Sequence, residues 1–501
     1  MSGLIVFVFC AVLLVAGYFV YGRLAEKVYG LRADLTMPSV AHPDGVDYSP
    51  LPTWKVFLIQ LLNIAGLGPV FGALSGCLFG PAALLWIVLG CILAGAMHDF
   101  LSAMMSLEHD GENLPELIGR YLGNAARWIM RIVCILLLLL VGVVFTKGPA
   151  GMLQAMIPEV SDLWWCAAIL LYYFLATVLP IDTIIGKVYP YFGALFLFMA
   201  VALLVTVPFG EHDVLPNVDF FTNVHPSDLS IWPMIFVTIA CGAISGFHAT
   251  QSPLMVRCLT KRSDMRRVFY GAMIMEGLVA LIWATVGLTL RDVLVDYAVV
   301  EQGGRSVVKA LEQTGGSAAS FMQVCMVDPA TAVKVACTSY LGSIGAVLAL
   351  LGVVVLPITS GDTAMRCCRL MVADVIRLDQ GPRLKRFMIA IPLFIAVILI
   401  AQMDFSVIWR YFGWSNQMLS CFTLWSITVL LRRRARWYWI SLIPACFMTV
   451  MCTTYLLYAK ECGIELPLSV SSIAGIVFAV ICTVAFFRIP RGCDVKVSEP
   501  S

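Results

Sequence analysis

The sequence predicts an all-α polytopic membrane protein of about 13 transmembrane helices, on three observations. Hydrophobic residues make up 60% of the 501 and charged residues only 13%, with a mean hydropathy of +0.90, a balance that a water-soluble domain of this length does not sustain. Apolar windows of roughly 20 residues, the length that crosses a bilayer, recur along the whole chain. Basic residues gather in alternate short loops, the bias expected because they resist translocation.

Taken in order, the first apolar run, near 3–21, has no basic residue before it and no A-x-A cleavage pattern after it, while Arg23, Lys27 and Arg32 follow. It reads as an uncleaved span with its N-terminus outside the cell. Further spans are expected near 52–76, 83–106, 128–147, 162–180, 189–209, 231–256, 268–290, 333–357, 387–403, 406–431, 437–458 and 468–488. The loops this places inside carry Arg120, Arg127 and Arg131, the cluster Arg257 to Arg267, Arg366 to Arg386, Arg432 to Arg436, and Arg488, Arg491 and Lys496. The outer side keeps only Lys147, Arg291, Arg305, Lys309, Lys334, Arg410 and Lys460. A multi-pass protein of the cell membrane with a cytoplasmic C-terminus follows.

The longest outer segment, 292–332, has room for a short helix near 306–313. The inner segment Asn113-Leu114-Pro115-Glu116 pairs a capping residue with Glu three later, so a short amphipathic helix through Tyr121 is expected at the membrane surface. The net charge of +2 on 33 basic and 31 acidic residues is scattered and gives no footprint for nucleic acid. The 17 cysteines contain no CxxC pair, and those in apolar runs, such as Cys91, Cys134, Cys241 and Cys446, read as small hydrophobes; no metal site is expected.

Two spans are interrupted. Asn63-Ile64-Ala65-Gly66-Leu67-Gly68-Pro69 breaks the second, and Ser245-Gly246-Phe247-His248 breaks the seventh. Irregular chain at membrane depth survives only where protein buries it or where it lines a watery cavity. Five spans separate the two breaks, and an odd-numbered unit inserts with opposite topology. Spans within 52–209 and 231–431 are therefore expected to be inverted repeats, flanked by an N-terminal helix in 1–22 and two C-terminal helices in 437–488. Paired broken helices at matching places point to a secondary transporter's binding site, their half-helix N-termini facing an anionic group.

Several motifs are specific enough to resemble a known family: Asp44-Gly45-Val46-Asp47-Tyr48-Ser49-Pro50, Ile64-Ala65-Gly66-Leu67-Gly68-Pro69, Gly95-Ala96-Met97-His98-Asp99-Phe100, Ser245-Gly246-Phe247-His248-Ala249 and Phe412-Gly413-Trp414-Ser415-Asn416-Gln417. In this order, from about residue 4 to about 430, the chain resembles the carbon starvation protein A (CstA) family, as a short-form member. The resemblance implies a proton-driven importer of peptides, amino acids or small carboxylates such as pyruvate, induced when carbon is scarce. It also implies the leucine-transporter-like fold of the amino acid–polyamine–organocation superfamily, with two inverted five-helix repeats. Many longer members carry a His-His pair just before the first break, where this chain has Gln60-Leu61-Leu62-Asn63; no role of that pair carries over.

The substrate site is expected around Asn63, Gly66 and Gly68 at the first break, around Ser245, Gly246, His248, Thr250 and Gln251 at the second, and at Asn416. His98, Asp99, His248 and Asp362 are ionisable groups within or beside spans and are the candidates for carrying a proton. Each has a plainer alternative: His98 and Asp99 as interface anchors, His248 as a buried histidine bonded to freed carbonyls, Asp362 as a helix cap. The expected partners are a small anionic or zwitterionic solute and the bilayer, with a proton or Na⁺ as coupling ion and no cofactor.

Rival functions lack their signatures. Gly186-Lys187 is followed by Val188, so no phosphate-cradling loop is present. An intramembrane hydrolase would need HExxH or facing aspartates, and Ser245 with His248 has no orienting carboxylate nearby in sequence. The chain is read as no enzyme. A channel, or a sensor built on the transporter fold, is the alternative.

Overall fold

A computed structural model describes residues 3–30, 35–181, 185–216, 218–302, 305–314, 316–462 and 464–492. Arg32 and Lys496, placed above on the inner side, lie outside the described residues. Every stretch expected to span contains helix, from Gly3–Tyr29 to Leu468–Phe487. Among the described residues, 8 helices are long and apolar enough to cross a membrane, or 9 when Thr53–Ile64 and Gly68–Phe79, bent by 52°, form one span. The remaining stretches are shorter, broken or charged: Asp162–Val178 has 17 residues, and Ile231–Thr238 is separated from Gly246–Val256 by a break. Apolar side chains such as Val12, Ile132, Leu171, Ile395 and Ile473 stand exposed on the outer faces of the helices, where hydrocarbon rather than water suits them.

The packing is reciprocal about the two breaks. The second half of the broken seventh span, Gly246–Val256, packs on Ala96–Glu108, while the first break and the turn after it pack on Gly271–Leu290. Each break thus lies against the helix that follows the other break. The long helix Pro329–Ile376 packs on Asn124–Met156 and on Ile185–Thr206. π-helical turns occur at the first break, Gly68–Gly72, and in both of the helices the breaks pack against or lead into, at Cys91–Gly95 and Arg266–Tyr270; such turns free backbone groups and often mark functional positions.

Three local expectations are corrected. The stretch 306–313 is not a helix. It contributes β2 (Arg305–Ala310) of an antiparallel hairpin with β1 (Tyr297–Gln302), followed by a single 3₁₀ turn. Val299 faces Val308 and Val300 faces Val307, and β-branched cross-strand pairs outweigh the local helical preference. The ninth span does not end near 357 with Asp362 as a cap. Pro329–Ile376 runs on past it, interrupted only at Gly342, whose φ of +63° suits glycine. The short helix Leu114–Leu122 forms where expected, but Asn113 does not cap it: its Nδ2 donates to Asp374 Oδ2 at 2.5 Å, and Glu116 accepts from Arg131.

Candidate functional site

The two breaks meet. A Cβ built on Gly68 would run into the Cβ and Sγ of Cys241, one on Gly72 would stand 3.0 Å from the Thr238 carbonyl, and one on Gly242 would press on Ala280. Gly242 also has φ +89°, a conformation in which a side chain is strained. Glycine is therefore what lets the two interrupted helices approach. Gly68→Leu is expected to abolish uptake, because even its first carbon has no room, whereas Gly151→Ala, with open space around it, should transport as wild type; solute uptake by the two variants in proteoliposomes checks the contrast.

Ending a helix inside the molecule frees backbone groups that need partners. At the second break Asn416, from Phe405–Arg433, supplies them. Its Oδ1 accepts from the Phe247 N–H at 2.7 Å and from Ser245 Oγ at 3.0 Å. A Cβ on Gly246 would collide with the Asn416 carbonyl, so the two helices touch backbone to backbone. The half-helix N-terminus expected to greet an anionic solute is thus capped by a protein amide. Thr250 and Gln251 serve the same half-helix: Thr250 Oγ1 donates to the Phe247 carbonyl at 2.6 Å, and Gln251 Nε2 to Thr250 Oγ1 at 2.9 Å.

His248 stands at the centre of a chain of ionisable groups. Its Nδ1 lies 2.9 Å from Asp99 Oδ2, and the other oxygen of Asp99 lies 2.8 Å from His98 Nδ1. Its Nε2 lies 3.5 Å from Glu276 Oε2. All four side chains are fully buried, so His98 and Asp99 are interior groups rather than interface anchors. Asp99 is also the carboxylate beside His248 that the sequence, in which the two are 149 positions apart, does not reveal. Glu276 escaped the sequence reading, although an acid inside the apolar run 268–290 was itself a signal.

Asn63 does not reach across to His248. It joins a second, separate centre at the first break. Tyr189, from Ile185–Thr206, places its hydroxyl 3.1 Å from Asn63 Oδ1, 2.7 Å from the Thr359 carbonyl and 2.8 Å from Asp362 Oδ1, while the Tyr172 hydroxyl lies 2.6 Å from Asp362 Oδ2. Thr359 and Ser360 point their hydroxyls at the Leu62 carbonyl, at 3.0 and 3.1 Å; the helix ends two residues later, at Ile64, so that carbonyl has lost its helical partner. A Cβ on Gly66 would press on Phe145 and come within 3.2 Å of Ser360 Oγ. Asp362 is fully buried, and no ion pair to it occurs among the described residues.

A cavity of about 760 Å³ reaches Phe71 and Ser75, just past the first break, from a mouth lined by Lys147, Gln154, Trp409 and Arg410. Away from that cavity the chain is strapped down, beside a second cavity of about 680 Å³ lined by Tyr48, Glu116, Arg257 and Asp374. Segment 44–51 bonds to Ile181 through the Val46 carbonyl and to Cys258 through the Leu51 N–H. Asp47 accepts from Arg366 Nη1 at 2.8 Å and from Arg369 Nη2 at 3.0 and 2.9 Å.

Comparison with known proteins bears on what such a site serves. The family model described as carbon starvation protein CstA matches residues 2–158 and 149–455. An uncharacterized membrane protein of Haemophilus influenzae is 38% identical over 372 residues, covering 64% of this chain and 96% of its own. Proteins named peptide transporter CstA match over 87% of this chain: that of Campylobacter jejuni is 25% identical with 77% of its length covered, and that of Escherichia coli 24% identical with 78% covered. Among solved structures, a mutant of the Eremococcus coleocola manganese transporter aligns over 91% of this chain and 99% of its own, with a TM-score of 0.49 and 14% identity.

Proposed function

The chain belongs to the carbon starvation protein CstA family, and from that premise we propose that it is a proton-coupled secondary transporter importing short peptides, amino acids or small carboxylates such as pyruvate. The observation that carries this reading is the meeting of two broken helices at Gly68 and Cys241, because discontinuous helices crossing at mid-depth are how transporters expose backbone groups to a solute. Relatives named as peptide transporters support peptides among these solutes.

The reciprocal packing about the breaks supports two inverted five-helix repeats, in 52–209 and 231–431, within about thirteen spans. In this reading the solute passes between the breaks, near Gly66, Gly68, Ser245 and Gly246. In the same reading the cavity beside Phe71 and Ser75 is the outer vestibule, the Asp47 strap lies on the cytoplasmic side, and the N-terminus is outside.

We place the proton on Asp362 by counting hydrogens. A tyrosine hydroxyl has one hydrogen, yet Tyr189 faces the Thr359 carbonyl and Asp362 Oδ1 at 2.7 and 2.8 Å, besides Asn63. Even with the Asn63 amide turned to donate, two acceptors compete for that hydrogen. A proton on Asp362 supplies the missing donor, and its loss must be matched by rearrangement at the first break.

The test is uptake into proteoliposomes of labelled pyruvate, alanine and a dipeptide, each with and without an inward proton gradient. Accumulation of one solute only with the gradient is expected and names the substrate class. Flux that never exceeds equilibration would instead make the protein a channel or a facilitator.

A further inference from the structure

We propose that Cys241, His248 and Glu276 form a binding site for a divalent transition-metal ion of borderline softness, with Zn²⁺ the representative ligand. Cys241 and His248 flank the second break, and Glu276 comes from Gly271–Leu290, the helix that packs against the first. One ligand atom from each lies within 4.8 Å of the others, and all three residues are buried.

The nitrogen and oxygen atoms that converge here have no other partner. His248 Nε2 and both carboxylate oxygens of Glu276 lack any hydrogen-bond partner, an arrangement that costs free energy in a dry interior unless something binds them. The 3.5 Å approach of Nε2 to Oε2 is ionic contact without hydrogen-bond geometry. A proton shared between them would in any case leave one Glu276 oxygen unused, and the Cys241 thiol has only a weak 3.5 Å bond to Ser245 Oγ. A metal ion engages all three.

The orientation of His248 is that of a ligand. An ionised Asp99 can only accept, so its 2.9 Å bond to Nδ1 makes that nitrogen the donor and leaves the Nε2 lone pair facing Cys241 and Glu276. Metal-bound histidines are held this way, by a carboxylate on the far ring nitrogen. Asp99 is held in turn by His98. Charge fits as well: a thiolate and a carboxylate neutralise a dication, which is the low-cost outcome in a low-dielectric interior. Mixed sulfur, nitrogen and oxygen donors suit Zn²⁺ and its neighbours rather than Mg²⁺ or Ca²⁺. Three protein ligands also leave one position of a tetrahedral ion open.

Cobalt is the probe, because thiolate bonding gives Co²⁺ a near-ultraviolet charge-transfer band. Purified full-length protein in detergent is expected to take up Co²⁺ with that band and to lose it when Zn²⁺ is added. Cys241→Ser should lose the band while remaining monodisperse. Asp99→Asn, which removes the carboxylate from the far ring nitrogen of His248 but leaves the three ligands, should keep the band and bind about 10–100-fold more weakly. A band that persists in Cys241→Ser, cobalt held without a band, or Asp99→Asn binding as tightly as wild type would overturn the proposal. None of these readouts depends on transport.

Discussion

Asp47→Ala is expected to cost about 3–5 kcal/mol of stability, the usual consequence of removing one partner from a buried ion pair. Here a single carboxylate serves two guanidinium groups, Arg366 and Arg369, whose side chains are 1% and 0% exposed. Without Asp47 both remain charged, since arginine does not give up its proton, and water cannot reach them. Arg366 would keep the Ala176 and Leu179 carbonyls and Arg369 would keep Gln380, but dipoles do not replace a charge. The measurement is the unfolding midpoint of the purified variant in detergent. A midpoint equal to wild type would mean that the pair contributes nothing. Replacing all three residues with Leu, Met and Leu is expected to recover part of the loss, because an apolar cluster of similar volume needs no counter-charge.

The same residue sets a pH expectation. Burial, the largest influence, pushes the Asp47 carboxyl up, but Arg369 and Arg366 together outweigh it and hold it at about 2. The folded value lies below the unfolded value of about 3.9. The stabilisation is therefore fully present above that value and is lost as pH falls from there toward the folded one. Across neutral pH the strap does not titrate. Any pH dependence of uptake in that range has to come from other groups.

Much of the architecture was legible because hydrocarbon imposes a length and a periodic apolar composition on each span, and because Gly and Pro inside such a run are unmistakable. Both breaks were visible for that reason. What they contact was not. Asn416 caps a helix 169 residues away in sequence, and Asp47 pairs with arginines 319 and 322 residues away; no local pattern encodes those meetings. Asp362, a proton-carrier candidate, read more plainly as a cap because 359–363 ends an apolar run and opens a stretch with Arg366 and Arg369. The helix continues instead, since Asp47 neutralises the two arginines that would otherwise have to reach water. Cys241 read as a small hydrophobe because an apolar run explains it, whereas Glu276, an acid within such a run, carried a signal of its own.

Asp362→Asn is expected to uncouple transport: gradient-driven accumulation of the solute should fall to unity, while exchange of solute across the membrane survives. Asparagine has nearly the shape of a protonated aspartate, and its amide can donate to Tyr189 as the acid would, so the contacts with Tyr172 and Tyr189 at the first break have a substitute. What it cannot do is release a proton. A carrier locked in one protonation state retains solute binding and loses only the thermodynamic link between the two fluxes. Two readouts separate the cases. Solute-induced proton movement, followed with a pH dye trapped in proteoliposomes, should be present in wild type and absent in the variant, and counterflow of preloaded solute should be retained. Loss of counterflow as well would place Asp362 in solute binding rather than coupling. Wild-type accumulation would remove it from the mechanism and return the proton to another buried group.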